Sequence, residues 1–235
     1  MIKSSELIIN PDGSIFHLHL KPEQIADQII LVGDPGRVEL ISGLLTDPEF
    51  MVHNREFVST TGKYNGKRIT VVSTGIGTDN IDIVVNELDA LANINLTTRE
   101  INSEHRTLNF VRIGTSGGLQ DYLPVNSFVI SEKAIGFDGL LNFYANRNQV
   151  SDLDFEAAFC RHTQWNQQLT SPYVVDCSTK LFEKIHRDNT IAGVTISAPG
   201  FYGPQGRVLR LPLVDPNLNE KIESFEYGRF RITNF

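Results

Sequence analysis

The chain has 235 residues and a formal net charge of −7, which argues against a nucleic-acid footprint or an anionic membrane surface as its partner. Its two cysteines, Cys160 and Cys177, form neither a metal-binding pair nor a disulfide framework, and this favours a reducing compartment. Residues 1–6 lack the apolar segment of a signal peptide, and no apolar run approaches the roughly 18 residues of a membrane span. We therefore expect a cytoplasmic protein without a metal site.

Strand and helix patterns alternate along the chain, as is typical of an α/β fold. Short apolar runs predict buried strands, apolar residues spaced three and four apart predict helices, and Asn65-Gly66 between two β-rich runs predicts a hairpin. We expect one domain over residues 1–235, with a central, mixed, largely parallel and twisted sheet that is partly barrel-like and flanked by helices. In chain order, the predicted elements are strand 28–32, helix 37–45, strands 56–61 and 67–73, a helix from about residue 79, a polar surface connection over 93–108, strands 109–113 and 127–135, helices 154–168 and 178–188, strand 190–197, helix 218–226 and strand 230–235.

Arginines accompany glycines at the ends of two of the predicted strands. Arg37 closes the segment Gly33-Asp34-Pro35-Gly36-Arg37, and Arg112 opens the segment Arg112-Ile113-Gly114-Thr115-Ser116-Gly117-Gly118. An arginine presents a planar fork of donors that matches phosphate oxygens, and glycines let backbone N–H groups approach the same anion. Taken alone, Arg37 could instead pair with a local carboxylate, whereas an unpaired Arg112 in a buried strand would be costly. The pattern favours a pocket for a free oxyanion.

The loops that carry these segments follow strands, and in open α/β sheets ligands bind where the carboxyl ends of the strands meet their loops. The segment Gly75-Ile76-Gly77 also follows a predicted strand and leads into the next helix. It either presents backbone N–H groups to the same anion or forms a tight turn with no ligand. A Rossmann dinucleotide site is not predicted, because the third glycine of that motif is missing, and no Walker-type loop occurs.

Six collinear segments resemble the nucleoside phosphorylases of the uridine phosphorylase type, and together they span residues 16–235. One such segment alone has little specificity, whereas six in the family's order and approximate spacing are specific. The resemblance implies the nucleoside phosphorylase fold and the exchange of a nucleoside's base for phosphate. The segments are Phe16-His17-Leu18, Gly33-Asp34-Pro35-Gly36-Arg37, His53-Asn54-Arg55-Glu56-Phe57, Ser73-Thr74-Gly75-Ile76-Gly77, Arg112-Ile113-Gly114-Thr115-Ser116-Gly117-Gly118 and Phe201-Tyr202-Gly203-Pro204-Gln205-Gly206-Arg207.

The resemblance also implies which residues hold the phosphate and the sugar. Arg55 would reach into the neighbouring subunit's site, and His17 would be donated across the same dimer to the sugar 5′-hydroxyl. The smallest active assembly would then be a homodimer, within a homohexamer built from dimers. The phosphate-binding residues would be Gly33, Arg37, Arg55, Arg112 and Thr115, and the sugar-binding residues His17 and Thr115.

A loop over residues 201–207 is similar to the segment that reads uracil in this family. Phe201 would stack on the base, and Gln205 would pair with its amide edge, because a carboxamide carries both a donor and an acceptor. Arg207 would stabilise the departing base anion, so that an acidic imide such as uracil leaves without help from a protonated aspartate. The base-binding residues would be Ser116, Gly117, Phe201, Gln205 and Arg207, and the catalytic residues Arg112, Gln205 and Arg207.

The chain departs from the family pattern in two places. Relatives often have Pro-Ser or a similar small pair after Gly-x-Gly, whereas this chain reads Thr78-Asp79-Asn80. Relatives can also bind a monovalent cation near the glutamate that matches Glu56, and Asn80 could supply an oxygen there. We nevertheless predict no cofactor, with inorganic phosphate as the co-substrate. After a strand like residues 231–235, the family continues into a Glu-Met-Glu segment that holds the ribose hydroxyls, so the domain is expected to lack its C-terminal segment.

The expected function is reversible pentosyl transfer, in which uridine and phosphate give uracil and ribose 1-phosphate. One alternative is a purine nucleoside phosphorylase or a hydrolytic nucleosidase of the same superfamily, and another is a non-catalytic relative that binds nucleoside or phosphate. Three arginines that match a phosphate site count against hydrolysis, and Gln205 with Arg207 counts against purines. The expected partners are a small nucleoside and phosphate, and neither a nucleic acid nor a membrane.

Overall fold

The computed structural model describes all residues, 1–235, and divides the chain into two compact units, Met1–Thr115 and Ser116–Phe235. Each unit contains one five-stranded sheet with both parallel and antiparallel pairs, so the predicted mixed α/β class is confirmed. One central sheet was expected, but the strands after residue 115 pair with one another and form a sheet of their own. The sheets are also less parallel than expected, because hairpins add antiparallel strands to each of them.

The N-terminal unit, residues 1–115, has a sheet in which parallel and antiparallel halves adjoin. Strand β1 lies between β4 and β7 and is parallel to both, whereas β2, β3 and β4 form an antiparallel meander. The carboxyl ends of β1, β4 and β7 therefore lie at the same edge. The elements are β1 Gln28–Val32, α1 Pro35–Ser42, β2 Thr46–Asn54, β3 Phe57–Tyr64, β4 Lys67–Ser73, α2 Thr78–Asn93, β5 Ile94–Asn95, β6 Glu100–Ile101 and β7 Asn109–Ile113.

Local sequence explains most of these elements. The predicted hairpin forms between β3 and β4, where Asn65 has φ 49° and Gly66 has φ 76°, the positive values that a tight two-residue turn requires. Helix α1 starts after Asp34, whose side chain accepts a hydrogen bond from the Gly36 N–H at 2.9 Å. Helix α2 is amphipathic and buries the face that carries Leu88 against the core of this unit.

The C-terminal unit, residues 116–235, has strands in the order β11-β12-β10-β8-β9. Its two central pairings, β12 with β10 and β10 with β8, are parallel, and the outer pairings are antiparallel. Its core combines aliphatic and aromatic side chains, and the rings of Phe155 and Phe159 each lie 5.3 Å from that of Phe225. The elements are β8 Phe128–Gly136, α3 Leu153–Thr163, β9 Tyr173–Asp176, α4 Thr179–Ile185, β10 Thr190–Ser197, α5 Leu218–Glu223, β11 Glu226–Tyr227 and β12 Phe230–Asn234.

Several strands lie where the sequence pattern predicted none. β2 carries Asp47, Pro48 and Glu49, residues that are rare in central strands, and it forms an edge of its sheet, where a missing N–H donor is tolerated. β9 is also an edge strand and has only four residues. The connection over 93–108 contains a two-stranded ribbon of β5 and β6. No helix is both long enough and apolar enough to cross a bilayer.

Candidate active site

Three loops meet at the carboxyl edge of the parallel strands in the N-terminal unit. The Thr74 N–H donates to the Val32 carbonyl at 2.7 Å, which holds the loop after β4 against the end of β1. A Cβ placed on Gly33 would lie 3.6 Å from Nη2 of Arg112 and 3.7 Å from the Gly75 carbonyl oxygen. The loops after β1, β4 and β7 are therefore in contact, as strand order and loop position predicted.

Arg37 and Arg112 form a pair of like charges in this unit. Neither side chain forms a hydrogen bond or an ion pair with the protein, so the alternative of a local carboxylate partner for Arg37 is excluded. Although Arg112 is exposed as a residue, the protein around its guanidinium displaces water from it and lowers its pKa below the ordinary value, and the positive charge of Arg37 lowers that pKa further. Guanidinium groups that have no carboxylate partner are free to donate hydrogen bonds to an anion.

Arg112 was expected on a buried strand, but it is exposed near the end of β7, which is one of the two edge strands of its sheet. Its side chain turns back over the following loop and places Nη1 only 2.6 Å from the position that a Cβ on Gly114 would occupy. Only glycine allows this close approach without a shift. Thr115 follows directly and is exposed, with its hydroxyl free of any protein partner.

The glycine loop after β4 is packed against the turn between β2 and β3. Gly75 has φ +68°, and a Cβ there would lie 2.6 Å from Cγ of Glu56. Asn80 donates from its amide nitrogen to the Glu56 carboxylate at 2.9 Å and to the Ile76 carbonyl at 3.2 Å. The amide nitrogen of Asn80, rather than its oxygen, therefore faces Glu56, and the Glu56 carboxylate is already partnered.

The two residues that the resemblance assigned to a neighbouring subunit lie close to each other. Arg55 has φ +54°, a left-handed conformation that is unusual for a residue other than glycine, and its exposed side chain has no protein partner. The preceding residue, Asn54, donates to the His17 carbonyl at 2.7 Å. Neither Arg55 nor His17 forms a hydrogen bond with Arg37 or Arg112.

His17 has a partner that the sequence analysis missed. Glu87 on α2 accepts hydrogen bonds from the backbone of this segment, and its Oε1 lies 2.6 Å from Nδ1 of His17. The two residues are 70 positions apart, and a glutamate on an amphipathic helix gives no local signal that it is functional. Only the tertiary structure pairs them.

In the C-terminal unit, three side chains of the loop over residues 201–207 form one cluster. The Arg207 guanidinium lies over the Phe201 ring, 4.0 Å from its centroid, and donates to the Phe201 carbonyl at 2.8 Å. Arg207 also donates to the side-chain oxygen of Gln205. The donor Nε2 of Gln205 is left without a partner, so the cluster presents an aromatic face together with amide and guanidinium donors.

Helix α5 and the segment after residue 115 both contact this loop. Asn219 donates to the Gln205 carbonyl at 3.0 Å, and Gly206, with φ +67°, leaves room for it, since a Cβ there would lie 2.5 Å from the Asn219 side chain. A Cβ on Gly117 would lie 3.6 Å from Nη2 of Arg207. Gly117 and Arg207 are therefore neighbours within this unit, whereas Ser116 is exposed and has no side-chain partner.

Comparison with known proteins identifies the family. A sequence profile of the Phosphorylase superfamily matches residues 27–227, which is most of the chain. The chain belongs to the phosphorylase superfamily. The resemblance drawn from the six motifs is confirmed.

Individual members of the phosphorylase superfamily are similar over most of the chain. A uridine phosphorylase of Thermococcus kodakarensis is 27% identical over 99% of this chain and 72% of its own length. A uridine phosphorylase of Haemophilus influenzae is 32% identical over 83% of this chain and 66% of its own. The crystal structure of a Trypanosoma brucei nucleoside phosphorylase, described as showing uridine phosphorylase activity, matches with a TM-score of 0.86 and 28% identity, over 97% of this chain and 82% of that one. The chain thus spans about two thirds to three quarters of the length of these two curated relatives.

Proposed function

We propose that this protein is a uridine phosphorylase-like pentosyltransferase, which converts uridine and phosphate to uracil and ribose 1-phosphate in a reversible reaction. The observation that carries the proposal is the unneutralised pair of Arg37 and Arg112 beside three glycine-containing loops. Two unpartnered guanidinium groups repel each other, and a bound divalent oxyanion would replace that repulsion with charge-assisted hydrogen bonds. Named relatives that are uridine phosphorylases support the substrate class.

In the proposed reaction, phosphate is the nucleophile and is held by Arg37, Arg112, the Gly33 backbone and the Thr115 hydroxyl. One phosphate oxygen forms a bond to C1′ of the ribose, while the bond from C1′ to N1 of uracil breaks and its electron pair leaves with the base. Holding the nucleophile in line with the breaking bond supplies much of the rate enhancement. The products are ribose 1-phosphate and a uracil anion, which takes up a proton.

The leaving base is assigned to the cluster of Phe201, Gln205 and Arg207. Arg207 carries the positive charge that stabilises the developing uracil anion, and preorganised charge of this kind is usually the largest single contribution to catalysis. Gln205 donates from its free Nε2 to a uracil carbonyl, and Phe201 supplies the stacking surface. Gly117 and Ser116 adjoin the base at the start of the same unit. A purine would require a different donor pattern at this cluster.

Arg55 and His17 are assigned to the site of a partner subunit, so the smallest active assembly is a homodimer. Both lie in the N-terminal unit, where Asn54, the residue before Arg55, donates to the His17 carbonyl, so one subunit could present them together to its partner. The exposed Arg55 would complete the neutralisation of the phosphate, and His17 would contact the sugar 5′-hydroxyl.

The test is the release of uracil from uridine at increasing phosphate concentration, with inosine assayed in parallel. We expect saturable, phosphate-dependent release of uracil and little or no release of hypoxanthine. Release of uracil at the same rate without phosphate would identify a nucleosidase, and a preference for inosine would identify a purine enzyme. Calorimetric binding of uridine and phosphate without turnover would identify a non-catalytic relative, and each of these three results would overturn the proposal.

A further inference from the structure

A single carboxylate organises the segment that carries His17. Glu87 accepts from the His17 N–H at 3.0 and 3.1 Å with its two oxygens, and Oε2 also accepts from the Leu18 N–H at 2.8 Å. Its Oε1 lies 2.6 Å from Nδ1 of the His17 ring. The Glu87 side chain is only 12% exposed and has no lysine or arginine partner. Its interactions are therefore directed at one short segment that is remote in sequence.

Other contacts complete the immobilisation of His17. Asn54 donates to its carbonyl at 2.7 Å, and the ring packs edge-on against Phe16 at 4.7 Å and Phe57 at 6.4 Å between centroids. The ring is 28% exposed, and its Nε2 has no hydrogen-bond partner. The His17 imidazole thus has one nitrogen fixed by the protein and one nitrogen available.

The partner of Nδ1 determines what Nε2 can do. An ionised carboxylate only accepts hydrogen bonds, so Nδ1 must carry the hydrogen that it shares with Glu87. In the neutral ring, Nε2 is then an acceptor with a lone pair that points away from Glu87. A hydroxyl group is a suitable ligand for such an acceptor, because it can donate to Nε2 while still accepting elsewhere.

The backbone hydrogen bonds to residues 17 and 18 would by themselves hold the segment in place. The additional contact with Nδ1 fixes the tautomer and the orientation of the ring, which a purely structural carboxylate has no need to do. We propose that Glu87 is a positioning residue for the reaction: it holds His17 with Nε2 presented to the sugar 5′-hydroxyl. This inference rests on the proposed function and on the assignment of His17 to the sugar.

Substitution of Glu87 by glutamine separates two roles of the carboxylate: holding the backbone of residues 17 and 18, and fixing the tautomer of the His17 ring. Glutamine keeps an oxygen that can accept from the backbone N–H groups, but its amide nitrogen is a donor and would face Nδ1 of His17. The ring would then favour the opposite tautomer, with a hydrogen on Nε2. Nitrogen chemical shifts of the His17 ring should therefore report the Nδ1–H tautomer in the wild-type protein and the Nε2–H tautomer in Glu87→Gln.

The functional readout is kcat/KM for uridine and for 5′-deoxyuridine, which lacks the hydroxyl in question. We expect Glu87→Gln to lower kcat/KM for uridine by about tenfold, as for the loss of one well-placed hydrogen bond, and to change it less than twofold for 5′-deoxyuridine. Asn54→Ser is the matched control, because it removes the anchor on the His17 carbonyl and leaves the ring contact intact. Asn54→Ser should change kcat/KM by a similar factor for uridine and for 5′-deoxyuridine.

Equal losses by Glu87→Gln on the two substrates, or the Nε2–H tautomer in the wild-type protein, would overturn the inference while leaving the proposed function intact. A wild-type protein without phosphorolytic activity would instead refute the proposed function, and the inference with it. A wild-type enzyme that processes both substrates equally well would refute the assignment of His17 to the sugar. Each outcome is therefore distinguishable from the others.

Discussion

The Arg112 guanidinium lies close enough to Arg37 for the charge of Arg37 to lower the pKa of Arg112, and neither residue has a carboxylate partner. Two other arginines of the N-terminal unit, Arg68 and Arg106, are paired with carboxylates. Arg68, for example, donates to both carboxylate oxygens of Glu49 at 2.7 Å. A like-charged pair costs free energy in the absence of a ligand, and such local costs are typical of functional sites.

Gly75 is expected to tolerate no side chain. It has φ +68°, and a Cβ would lie 2.6 Å from Cγ and 3.0 Å from Cβ of Glu56, so the turn that carries Glu56 would have to move. Gly75→Ala should lower the free energy of unfolding by about 3 kcal/mol, as the sum of backbone strain and overpacking. Chemical unfolding measures this loss.

Gly66→Ala is the matched control for that substitution. Gly66 has a similar φ of +76°, but no atom lies within 4 Å of the position of its Cβ. Gly66→Ala should therefore lower the free energy of unfolding only through backbone strain, by about 1 kcal/mol. Equal losses for the two variants would show that the contact between Gly75 and Glu56 is not tight.

Arg207 is expected to act mainly on the leaving base. Arg207→Met keeps an apolar side chain beside Phe201 but removes the charge, and should lower kcat/KM for uridine by about a hundredfold, the usual effect of losing one transition-state donor. The loss should be smaller for 5-fluorouridine, whose more acidic base needs less stabilisation as it leaves. Arg210→Met, at an exposed position in the same loop region, should have little effect on either substrate. Equal losses of kcat/KM on both substrates would argue against a role in leaving-group stabilisation.

Lys133 is expected to stabilise the C-terminal unit through two ion pairs. Its Nζ lies 2.8 Å from Asp152 and 2.5 Å from Asp176, and the side chain is only 8% exposed. Lys133→Met should lower the free energy of unfolding at pH 7 by about 2 kcal/mol, a value below that of fully buried pairs because Asp176 is largely exposed.

The pH dependence of that loss follows from the direction of two pKa shifts. Burial opposes ionisation of Asp152, but Lys133 and the Phe155 N–H outweigh it and hold the pKa of Asp152 below its ordinary value. Stability from Asp152 is thus present above an ordinary aspartate pKa of about 3.9 and disappears as pH falls through the lower folded-state value. Burial lowers the pKa of Lys133, but its two aspartates more than compensate and raise it, so its contribution is lost only at pH above about 10.4.

The difference in unfolding free energy between wild type and Lys133→Met should therefore be largest between about pH 5 and pH 9 and should shrink on both sides. Urea unfolding at several pH values measures it. A difference that stays constant from pH 3 to pH 7 would contradict the assigned coupling between Lys133 and Asp152.

The positions of the loops assigned to phosphate could be predicted because they depend on short-range patterns, whereas their binding of phosphate stays a proposal. Glycine and arginine residues after apolar runs indicated the loops that carry Gly33 and Arg112. Because the strands before these loops are parallel, both loops lie at the same edge of the sheet. The edge strand β2 was missed because Pro48 and its acidic neighbours do not resemble a strand in isolation. Glu87 was missed because its partner is 70 residues away, and only tertiary packing selects it from the other acidic residues of the helix.

The central claim is that Arg37 and Arg112 form a site for inorganic phosphate, and thermal unfolding with and without phosphate tests it most directly. At a phosphate concentration about a hundred times the dissociation constant, binding should stabilise the wild-type protein by about 2.7 kcal/mol. Arg112→Met should match or exceed the wild-type Tm without phosphate, because the repulsion is gone, and should lose most of the phosphate-induced shift. Arg68→Met should lower Tm and keep the shift. An undiminished phosphate shift in both Arg112→Met and Arg37→Met would contradict the account.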